Sequence, residues 1–148
     1  MDCILCQLAN EQIEVTKVYE DSRVVAVMDI QPVNPGHMFI FPREHVALVQ
    51  DLDDSIVAHI FTLAKKLNVA LRRSGLRCEG VNYLLADGEA AMQEIPHVHF
   101  HVIPRYKGDG FGLKFAEEYY ELPPRKELTE AAAKIREHVE QPVLECAS

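Results

Sequence analysis

The chain has 148 residues, 48% hydrophobic and 26% charged, the proportions of a soluble domain long enough to bury a core. A net charge of -8 without a basic cluster argues against nucleic-acid polymer as the main partner, although local donors still allow a small anionic ligand. No apolar run approaches bilayer length and no basic stretch precedes an apolar one at the N-terminus, so a cytoplasmic setting without membrane partner is expected.

Cys3-Ile4-Leu5-Cys6 opens a short helix expected over residues 4–10, with Ile4, Leu5 and Leu8 apolar. Cysteines at 3, 6, 78 and 146 do not read as a secreted disulfide framework. The close pair suggests a metal or a redox couple, and Cys78 and Cys146 read as free thiols. Residues 16–20 and 24–28 read as strands around the turn Asp21-Ser22-Arg23. Pro35-Gly36 leads into a third strand over 37–41. Residues 53–74 form the clearest helix: Ile56, Ile60, Leu63, Ala64, Leu67 and Leu71 recur at helical spacing, Asp53 or Asp54 caps it, and Gly75 ends it. Strands over 80–85 and 95–103 follow, then a C-terminal helix over 127–140, stopped before Pro142. Strands, one long helix and more strands indicate an α+β fold.

The most informative segment is Pro96-His97-Val98-His99-Phe100-His101-Val102-Ile103-Pro104-Arg105. Strand side chains alternate, so three imidazoles share one face, roughly 6.5–7 Å apart, and Val98, Phe100 and Val102 take the core face. Histidine is not a favoured strand residue, so three on one face call for a chemical reason. Imidazole titrates near neutrality, attacks phosphorus and binds metals. The middle ring is the natural nucleophile. As a nucleophile it would form a covalent intermediate for water to release. Its other nitrogen must be held, as by a backbone carbonyl, so that the attacking one is unprotonated.

This alternating pattern resembles the signature of the histidine triad (HIT) family. Asp29-Ile30-Gln31-Pro32-Val33-Asn34-Pro35-Gly36-His37 is similar to the family's segment between strands two and three. Phe39-Ile40-Phe41-Pro42-Arg43-Glu44-His45 is similar to the strand and basic turn that follow, and Gln93 stands four residues before the first triad histidine, as in the family. The likeness runs from about Cys3 to Arg105. Beyond it, Gly108-Asp109-Gly110-Phe111-Gly112 resembles a segment seen after the triad in many bacterial members. The resemblance implies a HIT domain over residues 1–105 and a C-terminal extension, 106–148, packed on the same domain. It also implies a five-stranded antiparallel sheet with one long helix and a C-terminal helix, paired as a homodimer. The implied activity is that of a nucleotide hydrolase or transferase. It would cleave a nucleoside monophosphate from a leaving group through a covalent nucleotidyl-histidine intermediate, like phosphoramidases and dinucleoside polyphosphate hydrolases.

The same resemblance assigns roles. His99 becomes the nucleophile, His101 a donor to the bridging atom or a phosphate oxygen, and His37 a further catalytic histidine. Asp29 maps to the carboxylate that accepts from both ribose hydroxyls. Ile30, Ile4, Leu5 and Leu8 map to the walls of a purine pocket, where a core role fits equally well, and Gln93 joins the nucleotide site. Cys3, Cys6, His45 and His97 supply the ligands of a structural tetrahedral Zn²⁺, with two unmetallated thiols as the alternative; no organic cofactor is implied. Three positions depart from the family pattern. Met92 replaces a Gly before Gln93, Glu94 stands where a hydroxyl residue is common, and Ala86 stands where an amide is usual. Glycine permits positive φ, so Met92 is expected to weaken close wrapping of a phosphate. It favours a competing reading, a catalytically weak purine-nucleotide-binding regulatory module stabilised by zinc. A third reading makes the triad itself a metal site.

Overall fold

The computed structural model describes residues 3–139, so Cys146 and the expected helix end at Glu140 lie outside the described residues. The chain divides into two compact units, Met1–Phe111 and Gly112–Ser148. The first contains α1 (Ile4–Ala9), β1 (Lys17–Glu20), β2 (Val24–Met28), β3 (Met38–Pro42), α2 (Asp54–Arg73), β4 (Gly80–Leu85) and β5 (Phe100–Arg105). The five strands form one antiparallel sheet in the order β1-β2-β3-β5-β4.

Strand alternation builds a core on each face of this sheet. Val24 and Ala26 of β2, with Met38 and Ile40 of β3, join Ile60, Leu63, Ala64, Leu67 and Leu71 of α2. Val25, Val27 and Phe41 turn the other way and pack with Leu5 and Ala9 of α1. β2 is buried on both faces, which is why Val24-Val25-Ala26-Val27 reads as a continuous apolar run. The Asp53 carboxylate accepts the Ser55 N–H at 2.8 Å to cap α2, and Arg72 and Arg73 sit at its negative end.

The fifth strand begins at Phe100 rather than Ile95. His97 N–H turns back to the Ile95 carbonyl at 2.8 Å, and Val98 N–H bonds Val46 O at 2.8 Å, outside the strand ladder. The alternation of faces nevertheless holds from Val98 onward, because Val98, Phe100 and Val102 all pack on the α2 side. The third strand is displaced by one residue, to Met38–Pro42, because His37 belongs to the preceding turn, its N–H bonded to Asn34 O at 3.0 Å.

The second unit holds a 3₁₀ turn at Glu117–Tyr120 and α3 (Arg125–Arg136). α3 starts two residues ahead of the expected Glu127, since Pro124, with φ -58, already sets the entry angle. No helix among the described residues is long and apolar enough to cross a membrane.

Candidate active site and metal cluster

The three histidines lie on the face opposite α2, against the phenylalanines of β3. Phe41 meets the His97 ring edge-on at 5.7 Å, and Phe39 stands 5.8 Å from His99 and 5.6 Å from His101. Phe39 and His101 are register partners across β3 and β5. His97, His99 and His37 are buried and His101 is half-buried.

Hydrogen bonds fix which nitrogen of each ring carries a proton. His99 Nδ1 lies 2.8 Å from the His97 carbonyl oxygen, which can only accept. Nδ1 therefore bears the hydrogen, and Nε2 keeps its lone pair. The Val33 N–H donates to His37 Nδ1 at 3.0 Å, so the His37 proton is on Nε2. That proton faces His101 Nδ1 at 2.9 Å, which leaves the His101 proton on its Nε2. Asp29 Oδ2 stands beside the pair, 3.5 Å from His37 Nε2. Burial, then the neighbouring His99 and His37 rings, push His101 down to about 4 against the pull of Asp29. Burial likewise lowers His37, with Asp29 opposing.

A second cluster lies at the other end of the triad. Cys3 Sγ and Cys6 Sγ are 3.4 and 3.7 Å from His97 Nδ1, and Cys6 Sγ is 3.5 Å from His45 Nδ1. All four ligand atoms fall within 4.8 Å of one another. A tetrahedron with the usual Zn–S and Zn–N lengths has S···N edges of about 3.5 Å. His97 Nε2–H donates to Pro42 O at 2.8 Å, which turns the Nδ1 lone pair toward the sulfurs and fixes the ring as an outer-shell partner does. Burial and then Cys3 push the Cys6 thiol up, and a coordinated cation reverses that direction by ionising its thiols. The residues thus fit Zn²⁺, which would supply a fold-linking crosslink rather than reaction chemistry.

Asp29, His37 and His101 also gather within 4.8 Å. The Val33 N–H pointed at His37 Nδ1 forces the proton onto the inward Nε2, leaving no lone pair there for a metal. The Cys3, Cys6, His45 and His97 cluster is set for a cation, and the Asp29, His37 and His101 cluster for a proton.

The expected nucleotide-binding residues lie in different environments. Asp29 Oδ1 accepts from Gln31 N–H at 2.8 Å, so the carboxylate is already oriented by its own turn. Ile30 is fully exposed at 100% and Ile4 at 45%, Leu8 is half-buried, and Leu5, 1% exposed, is core. Gln93 spends its amide on loop geometry: Oε1 accepts from Gly88 N–H and Nε2 donates to Ala47 O, both at 2.7 Å. Met92 adopts the left-handed conformation, φ 64 and ψ 32, which is the angle a glycine supplies at no steric cost. Its side chain, 82% exposed, stands at the rim of an open groove of ≈ 880 Å³ that Gly88, Gln93 and Glu94 also border.

Sequence reading missed Val33, Pro42 and Asn34. The first two act through backbone groups, which no side-chain pattern reports. Asn34 is buried and bonds Pro104 O and Asp109 across 70 and 75 residues of chain, beyond any local signal.

Comparison with known proteins agrees with this architecture. The family model described as "HIT domain" matches residues 10–108. An adenosine 5′-monophosphoramidase of Schizosaccharomyces pombe is 33% identical over 126 residues, covering 85% of this chain and 90% of the relative. The crystal structure of a HIT-family member from Bacillus subtilis superposes with a TM-score of 0.84 at 33% identity, over 96% of this chain and 100% of that one. A zinc-bound histidine triad protein from Mycobacterium smegmatis gives a TM-score of 0.72 at 30% identity, over 93% of this chain and 97% of that one. The fold, the three alternating histidines and a family match across residues 10–108 together establish that the chain belongs to the HIT family.

Proposed function

We propose that the protein releases a purine nucleoside monophosphate from a conjugate through a nucleotidyl-His99 intermediate. One observation carries this reading: the His97 carbonyl holds His99 Nδ1–H at 2.8 Å and leaves Nε2 as a free nucleophile. The bond from His99 Nε2 to the α-phosphorus forms as the bond to the leaving group breaks with its electron pair. The phosphate's negative charge favours one additional proton on the His101–His37 pair, taken up at His37 Nδ1 as the Val33 N–H gives way; the departing atom then takes the His101 Nε2 proton while the His37 Nε2 proton passes to His101 Nδ1. In the second step water attacks phosphorus, returns a proton to His101 and frees His99, giving the monophosphate. Asp29 receives the ribose hydroxyls, Ile30, Ile4 and Leu8 face the base with Leu5 behind them, and the Gln93-braced loop lines the phosphate. The related phosphoramidase supports an amine as one leaving group. Met92 takes the backbone angle of the glycine it replaces and its side chain is exposed, which supports an enzyme over a binding-only module.

Structural zinc on Cys3, Cys6, His45 and His97 completes the proposal, supported by the zinc-bound relative. So does a homodimer, consistent with β4 as an outer strand exposing Tyr83 and Leu84. We further propose that residues 106–148 serve as an extension of the HIT domain at 1–105. The direct test is acid quenching of the protein with an adenosine monophosphate conjugate labelled at phosphorus. Label on the peptide containing His99 is expected; turnover without any labelled peptide would overturn the covalent route.

A further inference from the structure

We propose that Cys3 and Cys6 form a reversible oxidation site, closing into a disulfide that surrenders the zinc and unties α1 from His97. This rests on the zinc reading above. The ligands are divided unevenly along the chain. Both sulfurs come from one helical turn: Cys3 is the N-cap of α1, its carbonyl accepting the Gln7 N–H at 3.1 Å, and Cys6 is the third residue of the helix. Both nitrogens come from elsewhere, His45 from the turn after β3 and His97 from the segment before β5. Residues three apart in a helical turn have Cα atoms about 5 Å apart. That lies inside the window of about 4.4–6.8 Å that a disulfide spans. The four ligand atoms already fall within 4.8 Å of one another, so the sulfurs can meet by side-chain rotation with the turn intact. Cys3 and Cys6 are half-buried, within reach of a small oxidant, while His97 is fully buried.

The oxidant is hydrogen peroxide or another two-electron peroxide, and no further reactant is needed. One thiolate sulfur attacks the peroxide: the S–O bond forms, the O–O bond breaks and hydroxide leaves. The second thiolate attacks the sulfenic sulfur: the S–S bond forms, the S–O bond breaks and a second hydroxide leaves. The pair loses two electrons, the peroxide gains them, and the two hydroxides carry away the negative charge that held the cation. His45 and His97 alone are two neutral ligands, short of the set a structural zinc site uses. A crosslink among three segments thereby becomes one confined to a single turn. The loss falls on α1 and the His45 turn rather than on the nucleophile. The His97 ring keeps its bond to Pro42 O at 2.8 Å and its edge contact with Phe41, so the carbonyl that holds His99 stays in place. Ile4 and Leu8, which face the base in the function proposed above, sit on α1. Oxidation therefore weakens nucleotide binding and leaves His99 set. The close cysteine pair serves in turn as metal ligands and as redox couple.

The test uses the zinc-loaded full chain carrying Cys78→Ser and Cys146→Ser, which leaves only the pair to oxidise, with wild type alongside. Hydrogen peroxide should release about one zinc per chain, read with a chromogenic zinc indicator. The non-reduced peptide holding Cys3 and Cys6 should become lighter by two hydrogens in step with that release. Dithiothreitol with added zinc should restore both. The Kd for adenosine monophosphate, measured by calorimetry, should weaken about threefold or more on oxidation and recover on reduction. Zinc that stays bound while the cysteines oxidise, sulfinic acid in place of the disulfide, or a disulfide joining two chains would overturn the site. An unchanged Kd in disulfide-closed, zinc-free protein would overturn its link to the base pocket. Reduced protein that takes up no zinc defeats the zinc reading and the expulsion with it. Loaded protein that keeps both metal and thiols under peroxide overturns the oxidation site alone. Loaded protein that binds no monophosphate defeats the proposed nucleotide function, and zinc release with peptide mass still decides the site. If the double variant does not fold, wild type with every cysteine mapped by mass gives the same reading.

Discussion

His97 faces two ways: its ring Nδ1 points at Cys3 and Cys6, while its carbonyl oxygen holds the Nδ1–H of His99 at 2.8 Å. A single residue thereby joins the cysteine cluster to the lone pair proposed to attack phosphorus. The cluster and the nucleophile are separable by mutation because the ring serves one and the backbone the other.

His99→Ala removes the attacking nitrogen but not the backbone carbonyl that held it. Turnover of a nucleotide conjugate should fall by about a thousandfold or more, since loss of a nucleophile within a cooperating group removes most of the rate. The fold and monophosphate binding should persist. Steady-state kinetics beside calorimetric titration with adenosine monophosphate checks both, and undiminished release by the purified variant rejects His99 as nucleophile.

Cys3→Ser with Cys6→Ser removes both sulfur ligands. Elemental analysis should find about one zinc per chain in wild type and His99→Ala, and none in the double variant. A structural site contributes directly to folding free energy, so the double variant should also melt lower by roughly 5 °C or more. Protein prepared under reducing, chelator-free conditions and containing no zinc would contradict the assignment.

Met92→Gly should act on stability rather than affinity. A left-handed backbone costs a non-glycine residue roughly 1–2 kcal/mol, part of which returns as the greater entropy loss of an ordered glycine. We expect a net gain of about 0.5–1 kcal/mol by urea unfolding and an unchanged Kd for monophosphate. A tightened Kd with unchanged stability would show that the side chain obstructs the site after all.

Stability should depend on the protonation of His101. Its ordinary value is 6.5, and in the folded protein it is pushed down to about 4. Between those values the unfolded chain binds a proton that the folded chain refuses. The stability present above pH 6.5 is therefore lost progressively as the pH falls toward 4, by up to about 3 kcal/mol. Burial of His37 acts in the same direction. His101→Gln should give a shallower decline than wild type in urea unfolding at pH 7, 5.5 and 4.5, with equal slopes counting against the shift.

Much of this was legible in the sequence because it is local or periodic. The stripe Ile60, Leu63, Ala64, Leu67, Leu71 defines α2, and the alternation of Val98, Phe100 and Val102 with histidines fixes which way each ring faces. The start of β5 was not legible, since whether His97 and Val98 join a ladder depends on Val46, a partner distant in the chain. Leu5 shows a different limit. Apolar side chains look alike as pocket wall or core, and only packing against Val25, Val27 and Phe41 separates the two. Gln93 is polar and near the triad, yet its amide is consumed by Gly88 and Ala47, backbone partners without a sequence signature.

α1 is six residues long, too short to be stable in isolation. It is held where Leu5 and Ala9 enter the core, where Arg43 Nη1 donates to Ala9 O at 2.9 Å, and at the cysteines of its first turn. The first two anchors belong to the fold, and the third depends on what the sulfurs bind. The amide hydrogens of α1 are therefore a local clock for the cysteine cluster: adding a chelator should speed their exchange with deuterium while those of α2 keep their original protection.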